Sequence, residues 1–169
     1  MIDFRNIAYL RQGNARQQQA YALLTEHAVM ETLQPFDPIL VGSIPLNVGT
    51  ETSDIDIICC WQTKSEFVDA VFRAFGTIEN FSITDKNTDE GCIVRCQLTL
   101  HGVDIEIFGS SVPSDQQNAY KRMLAKYEII ERNGEDFRQA VVNLKQKGVK
   151  TGEAIRMLLE NSKEYLDEP

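Results

Sequence analysis

Residues 41–61 read VGSIPLNVGTETSDIDIICCW. A strand-like apolar end runs into Gly42-Ser43. Ten residues later two aspartates, Asp54 and Asp56, interrupt a run otherwise as apolar as a buried strand. On an extended chain residues i and i+2 share a face, so Asp54 and Asp56 project together while Ile55 and Ile57 turn into a core. Two carboxylates held that close repel, and burial raises the pKa of one or both. A hard divalent cation removes the conflict, and Mg²⁺ takes carboxylate oxygens while keeping several waters.

The flanking residues fit the same chemistry. Glycine at position 42 lets a phosphate approach the backbone, and the Ser43 hydroxyl with neighbouring N–H groups can bind phosphate oxygens. A second acidic pair, Asp104 and Glu106, alternates with Val103, Ile105 and Ile107. Alone it reads more readily as a solvated strand face. If that strand lies beside the first, a carboxylate from each meets over one site, and three carboxylates can hold two Mg²⁺ for phosphoryl transfer. Strand, G-S, spacer, D-I-D-I and a later acid form a far more specific pattern than any one part.

Working outward, the periodicity of Ala20, Leu23, Leu24 and Ala28 predicts a helix over residues 14–33. Asn14 and residues 17–19 form a polar cluster on it, suited to solvent or to a base or ribose. Short strands are expected at 39–41 and 53–61, with a loop between them. Phe67, Val68, Val71, Phe72 and Phe75 mark an amphipathic helix over 64–75. A strand at 78–84, a polar turn at 85–91 and a strand at 92–100 follow. His101-Gly102 is a two-residue connection to a hairpin partner at 103–108. From residue 114 the pattern is helical: 116–131, 136–146 and 151–162, punctuated by Gly134 and Gly148. The expected class is α+β, with a mixed β-sheet core and flanking helices over 1–112. A C-terminal helical region, 113–169, packs on that core.

Composition bounds the function. The chain has 169 residues, 43% hydrophobic and 25% charged, as an ordinary soluble globular protein does. It shows no signal-peptide core and no apolar run of roughly eighteen residues, so no membrane association is expected and the cytoplasm is the default location. A net charge of −8 argues against an extended nucleic-acid surface. A small phosphate-bearing ligand, or a nucleic-acid end in a cleft, is compatible with it. Cys59, Cys60, Cys92 and Cys96 make no C-x-x-C pair, and with only two histidines a zinc site is not expected. The cysteines read as small buried hydrophobes on strands. A nucleotide needs further cations, and Lys121, Arg122 and Lys126 fall together on one helix, where a solvated charged face is the plainer explanation. Gly148-Val149-Lys150-Thr151 looks like the end of a P-loop. Val149 and Leu144 stand where that motif needs glycine, so the stretch reads as a helix–helix turn.

With these motifs in view, residues 40–108 resemble the DNA polymerase β-like nucleotidyltransferase superfamily: h-G-[GS], a spacer, D-h-[DE]-h, then a carboxylate on a later strand. A finer resemblance, to the bacterial DUF4269 family of unassigned function, covers nearly the whole chain. It rests on LRQGNARQQQAY, LVGSIPL, TSDIDIIC, EIFG, QNAYKRM and GVKT. The resemblance implies a nucleotidyltransferase-like fold with Gly42 and Ser43 toward nucleotide phosphates and Asp54 and Asp56 as metal ligands. Glu106 is the third carboxylate, with Asp104 as its rival on the same face. Arg122 stands where the family pattern has a His. The implied activity is Mg²⁺-dependent transfer of a nucleoside monophosphate from an NTP to a hydroxyl of a small-molecule or protein acceptor. The alternatives are a non-catalytic nucleotide sensor or protein-binding module, as in a toxin–antitoxin-like pair, and a metal-dependent phosphohydrolase.

Overall fold

The computed structural model describes residues 2–89 and 91–164. A 3-10 helix, Ile7–Gln12, leads into α1 (Ala15–Glu26) and the short α2 (Val29–Leu33). The helix expected over 14–33 is thus broken, at His27 and at Ala28, whose φ of 48° lies in the left-handed region. Strands β1 (Ile39–Val41) and β2 (Ile55–Cys60) flank the loop that carries Ser43 to Asp54. Helix α3 (Lys64–Phe75) follows, then β3 (Ser82–Thr88), β4 (Gly91–Leu100) and β5 (Val103–Ser110). The polar residues 85–88, expected in a turn, pair with β4 as an exposed edge strand, so the β3 strand sits later than its apolar residues suggest. Backbone hydrogen bonds, satisfied along the whole hairpin, outweigh the poor strand propensity of Asp85, Lys86 and Asn87. Two long helices follow, α4 (Asn118–Gln146) and α5 (Thr151–Glu164). Glu90 of the expected turn and residues 165–169 of the expected C-terminal region lie outside the described residues.

The five strands form one sheet in the order β1-β2-β5-β4-β3. Only β2 and β5 run parallel; the other pairs are antiparallel. The hairpin between β4 and β5 turns through His101 and Gly102, both at positive φ (50° and 78°), the backbone a two-residue type I′ connection requires. One face of the sheet buries Leu40, Ile55, Ile57, Cys59, Ile105 and Ile107 against Leu23 and Leu24 of α1 and Phe67, Val71 and Phe75 of α3. Burying each such side chain stabilises the fold by about 1.5–3 kcal/mol. At Gly109 a Cβ would sit 2.8 Å from the Trp61 ring, so glycine lets Phe67 and Trp61 close over β5.

The other face buries Ile39, Val41 and Ile58 under Met123, Ile130 and Val141 of α4 and Ala154 and Ile155 of α5. Helix α4 is interrupted at Gly134, whose φ of 81° and ψ of −171° are non-helical. The two helices expected over 116–131 and 136–146 are thus present as two arms of α4, separated at the glycine that punctuates them in the sequence. All four cysteines are free and lie on β2 and β4, with Cys59 and Cys96 fully buried.

Candidate active site

The carboxylates stand on the sheet face that α4 and α5 cover, at the point where the cover ends. Ile58 continues that face beneath the helices, and Asp56 is two residues earlier on the same side. Parallel pairing sets Asp56 directly beside Glu106, with Ile55 beside Ile105, so acid meets acid and core residue meets core residue. Asp54 lies one residue before β2, at the rim. On the other side of β2, Val41 is the register partner of Asp56, which brings Gly42 against the carboxylate. A Cβ at position 42 would collide with Asp56 Oδ2, and the φ of 86° there is left-handed. Glycine is required twice over.

Burial pushes the Asp56 carboxyl up to about 7, helped by the charges of Glu106 and Asp54 and opposed by Arg95 and Lys145. Asp54 is also raised, first by lost hydration, then by Glu106 and Asp104, against Arg16 and Arg95. Glu106, only 15% exposed, is paired with the Arg95 guanidinium from the neighbouring β4. Gln97 Nε2 donates to the same carboxylate at 3.2 Å. Both contacts take Oε1, which leaves Oε2 to a cation or a proton. Asp104 is held elsewhere: its Oδ1 accepts from Thr99 Oγ1 at 2.7 Å, over a separate recess lined by Asn80 and Gln97.

The loop between β1 and β2 is held from beneath by α1. Arg16 and Gln17 are buried, not part of a solvent face. Arg16 Nε donates to the Ser53 carbonyl at 3.0 Å, and Gln17 Nε2 donates to the Ile44 carbonyl at 2.8 Å. Asn14 caps α1 by accepting from the Gln17 backbone N–H at 2.9 Å, and Gln17 Oε1 accepts in return from the Asn14 N–H. Ser53 Oγ accepts from the Thr50 N–H at 2.9 Å and from Ser43 Oγ at 3.2 Å. The Ser43 hydroxyl is therefore tied into the loop.

A cleft of about 490 Å³ opens over Asp54 and Asp56. Gly42, Ser43 and Ser53 line one wall, and Lys126, Lys145, Lys150 and Thr151 the other. A contiguous recess of about 310 Å³ shares Gly42, Asp56 and Lys126 and adds Arg122, Gln117 and Phe108. Of the cations expected from the sequence, Arg122 and Lys126 thus reach this region, while Lys121 is exposed and lines neither space. Gly148 to Thr151 is a helix–helix turn, as its failed P-loop pattern implies, but that turn also forms a wall of the cleft. Lys145 was not legible in the sequence. It is partly desolvated, which lowers its pKa together with Lys126, while Asp56 raises it. Arg95 gave no signal either, because only the β4–β5 pairing sets it beside Glu106.

The fold so assembled matches solved nucleotidyltransferases. A cytoplasmic RNA terminal U-transferase superposes with a TM-score of 0.52 at 14% identity, over 79% of this chain and 39% of that one. Cid1 in complex with the UTP analogue UMPNPP gives 0.51 at 14% identity, over 79% and 41%. A chain of the GLD-2/RNP-8 complex gives 0.53 at 9% identity, over 88% and 61%. The present chain therefore spans about two fifths of the U-transferases it matches. The shared architecture is nucleotidyltransferase-like. The sequence matches the model of DUF4269, a domain of unknown function, over residues 22–164, and the chain belongs to that family. No curated protein matches it.

Proposed function

We propose that this protein is a Mg²⁺-dependent nucleotidyltransferase that moves a nucleoside monophosphate from an NTP to a hydroxyl of a small-molecule or protein acceptor. One observation carries the reading: Asp56, half-buried and with its carboxyl pushed up to about 7, faces a cleft that Lys126, Lys145 and Lys150 also line. A triphosphate needs cations along its length, and clustered, partly desolvated carboxylates need a cation of their own.

The donor types, carboxylate oxygens on adjacent strands, are those of a hard divalent ion, which would draw the three closer than they stand here. Asp54 and Asp56 would hold it, with Glu106 Oε2 as the third donor. The ion would supply Lewis-acid polarisation of the transferred phosphoryl group and neutralise charge on the leaving pyrophosphate. Lys126, Lys145 and Lys150 would bind the β- and γ-phosphates. The first N–H groups of α5 lie beside them, at a helix end that favours anions. Gly42 leaves its backbone open to a phosphate oxygen. Arg95 and Gln97 fix Glu106 Oε1 and so orient Oε2 toward the ion; a carboxylate oxygen of the site that does not hold the ion would take the proton of the acceptor hydroxyl.

The test is NTP binding with and without Mg²⁺, followed by thermal shift, on wild type, Asp56→Asn and Lys145→Met. A ligand at about 100 Kd adds roughly 2.7 kcal/mol. The expected result is an Mg²⁺-dependent shift absent in Asp56→Asn and smaller in Lys145→Met. Radiolabelled NTP is then offered with pooled small hydroxylated metabolites, protein and a single-stranded RNA 3′ end. A specific observation favours the sensor as second reading: Arg95 already neutralises much of Glu106. Mg²⁺-dependent NTP binding without turnover on any acceptor would select it.

A further inference from the structure

The chain's only two histidines meet outside the carboxylate cleft. His27 caps the end of α1 and His101 occupies the β4–β5 turn, yet their rings lie 5.3 Å apart, edge to face at 69°. Glu26 lies beside them. The ligand atoms of Glu26, His27 and His101 all fall within 4.8 Å of one another, and among the described residues no other group of His, Cys, Asp and Glu does so. The three catalytic candidates do not close to that distance, so the two places differ in geometry as well as chemistry.

We propose that Glu26, His27 and His101 form a zinc site that ties α1 to the β4–β5 turn. The strongest sign is at His27, a half-buried residue whose imidazole joins the group and whose Nε2 is shielded from solvent without a hydrogen-bond partner. An unpartnered buried polar atom is costly, and a metal bond would satisfy it. Two imidazoles and one carboxylate suit Zn²⁺, which takes such donors at about 2.0–2.2 Å and leaves a fourth position for water. Ligand atoms around such an ion are roughly 3.3 Å apart. Glu26 and His101 are exposed, so their side chains can rotate inward by the remaining distance and an ion can enter from solvent. The location favours a cation too. Helix α1 ends with no basic residue in its last turn, so its C-terminal carbonyls carry an uncompensated partial negative charge. The hard-oxygen cleft and this nitrogen-rich site would select different ions.

The experiment is Zn²⁺ titration by competition with a chromophoric chelator, with imidazole NMR as the direct readout. His101→Asn is the informative variant. It puts Asn-Gly in the turn, the pair this backbone prefers at positive φ, so the hairpin keeps its fold while losing a ligand. Wild type should bind one equivalent of Zn²⁺, shift both histidine resonances, and do the same in Asp54→Asn/Asp56→Asn. His101→Asn should bind at least ~100-fold more weakly, and Glu26→Gln at least ~10-fold. Absence of binding up to about 1 mM, equal binding in His101→Asn, or loss of binding in the aspartate variant would each overturn the proposal.

Discussion

At Asp56 burial and neighbouring carboxylates raise one carboxyl far above its ordinary range. Its folded pKa of about 7 lies well above the ordinary carboxylate value of 3.8. The folded state therefore holds a proton that the unfolded chain has already lost, so this group favours folding most below the ordinary carboxylate range. That contribution fades as pH rises through about 7. Metal-free wild type should lose stability between about pH 4 and pH 7 relative to Asp56→Asn, whose curve lacks this slope; paired urea titrations in EDTA would measure it. Beside it, Gly42→Ala forces a Cβ into Asp56 Oδ2 at a left-handed φ. The cost expected from urea melts is more than about 1 kcal/mol, with NTP binding weakened. Arg95 lowers the Asp56 pKa and pairs with Glu106. Arg95→Met makes the site more negative, so Mg²⁺ affinity should rise by roughly 3–10-fold in calorimetry.

Among the elements, α4 does the most to shape the cleft. Its first arm carries Arg122 and Lys126; its second carries Arg138, which donates to the Asn47 carbonyl at 2.8 Å, and Lys145 in the cleft wall. The bend at Gly134 lets one helix serve both. Its φ and ψ are open to glycine alone, so Gly134→Ala should cost about 1–3 kcal/mol. NTP affinity should fall in the same variant, because the arm bearing Lys145 moves. A stability loss with unchanged affinity would show that the bend does not position the lysine. Helix α1 plays the complementary part. Its polar residues Asn14, Arg16 and Gln17 hold the loop after β1, so part of a stretch that looked like a solvent face supports the site, while Gln18 and Gln19 stay exposed.

Across the whole molecule, β1 and β2 are covered on both faces, and the C-terminal helices share an apolar layer with them, while β3 stays an exposed edge. Ile130→Ala removes a nearly fully buried side chain from that layer and should cost about 2–5 kcal/mol. Trp61 reports from the opposite layer. Circular dichroism and Trp61 fluorescence should give coincident urea transitions in wild type and variant if the helices and the sheet unfold together; separated midpoints would show that they do not. No helix among the described residues is long and apolar enough to cross a membrane. The sequence by itself determined the parts whose signal is local. D-I-D-I reads as a strand with one acidic face because strand side chains alternate. G-S reads as a tight approach because only glycine tolerates it. His101-Gly102 reads as a turn because its neighbours are two strands. The tertiary structure alone decided what meets across space: Asp56 beside Glu106, Arg95 on Glu106, Lys145 and Lys150 opposite the aspartates, and His27 against His101. Pairing register and helix packing set those distances, and neither is written in the spacing of residues along the chain.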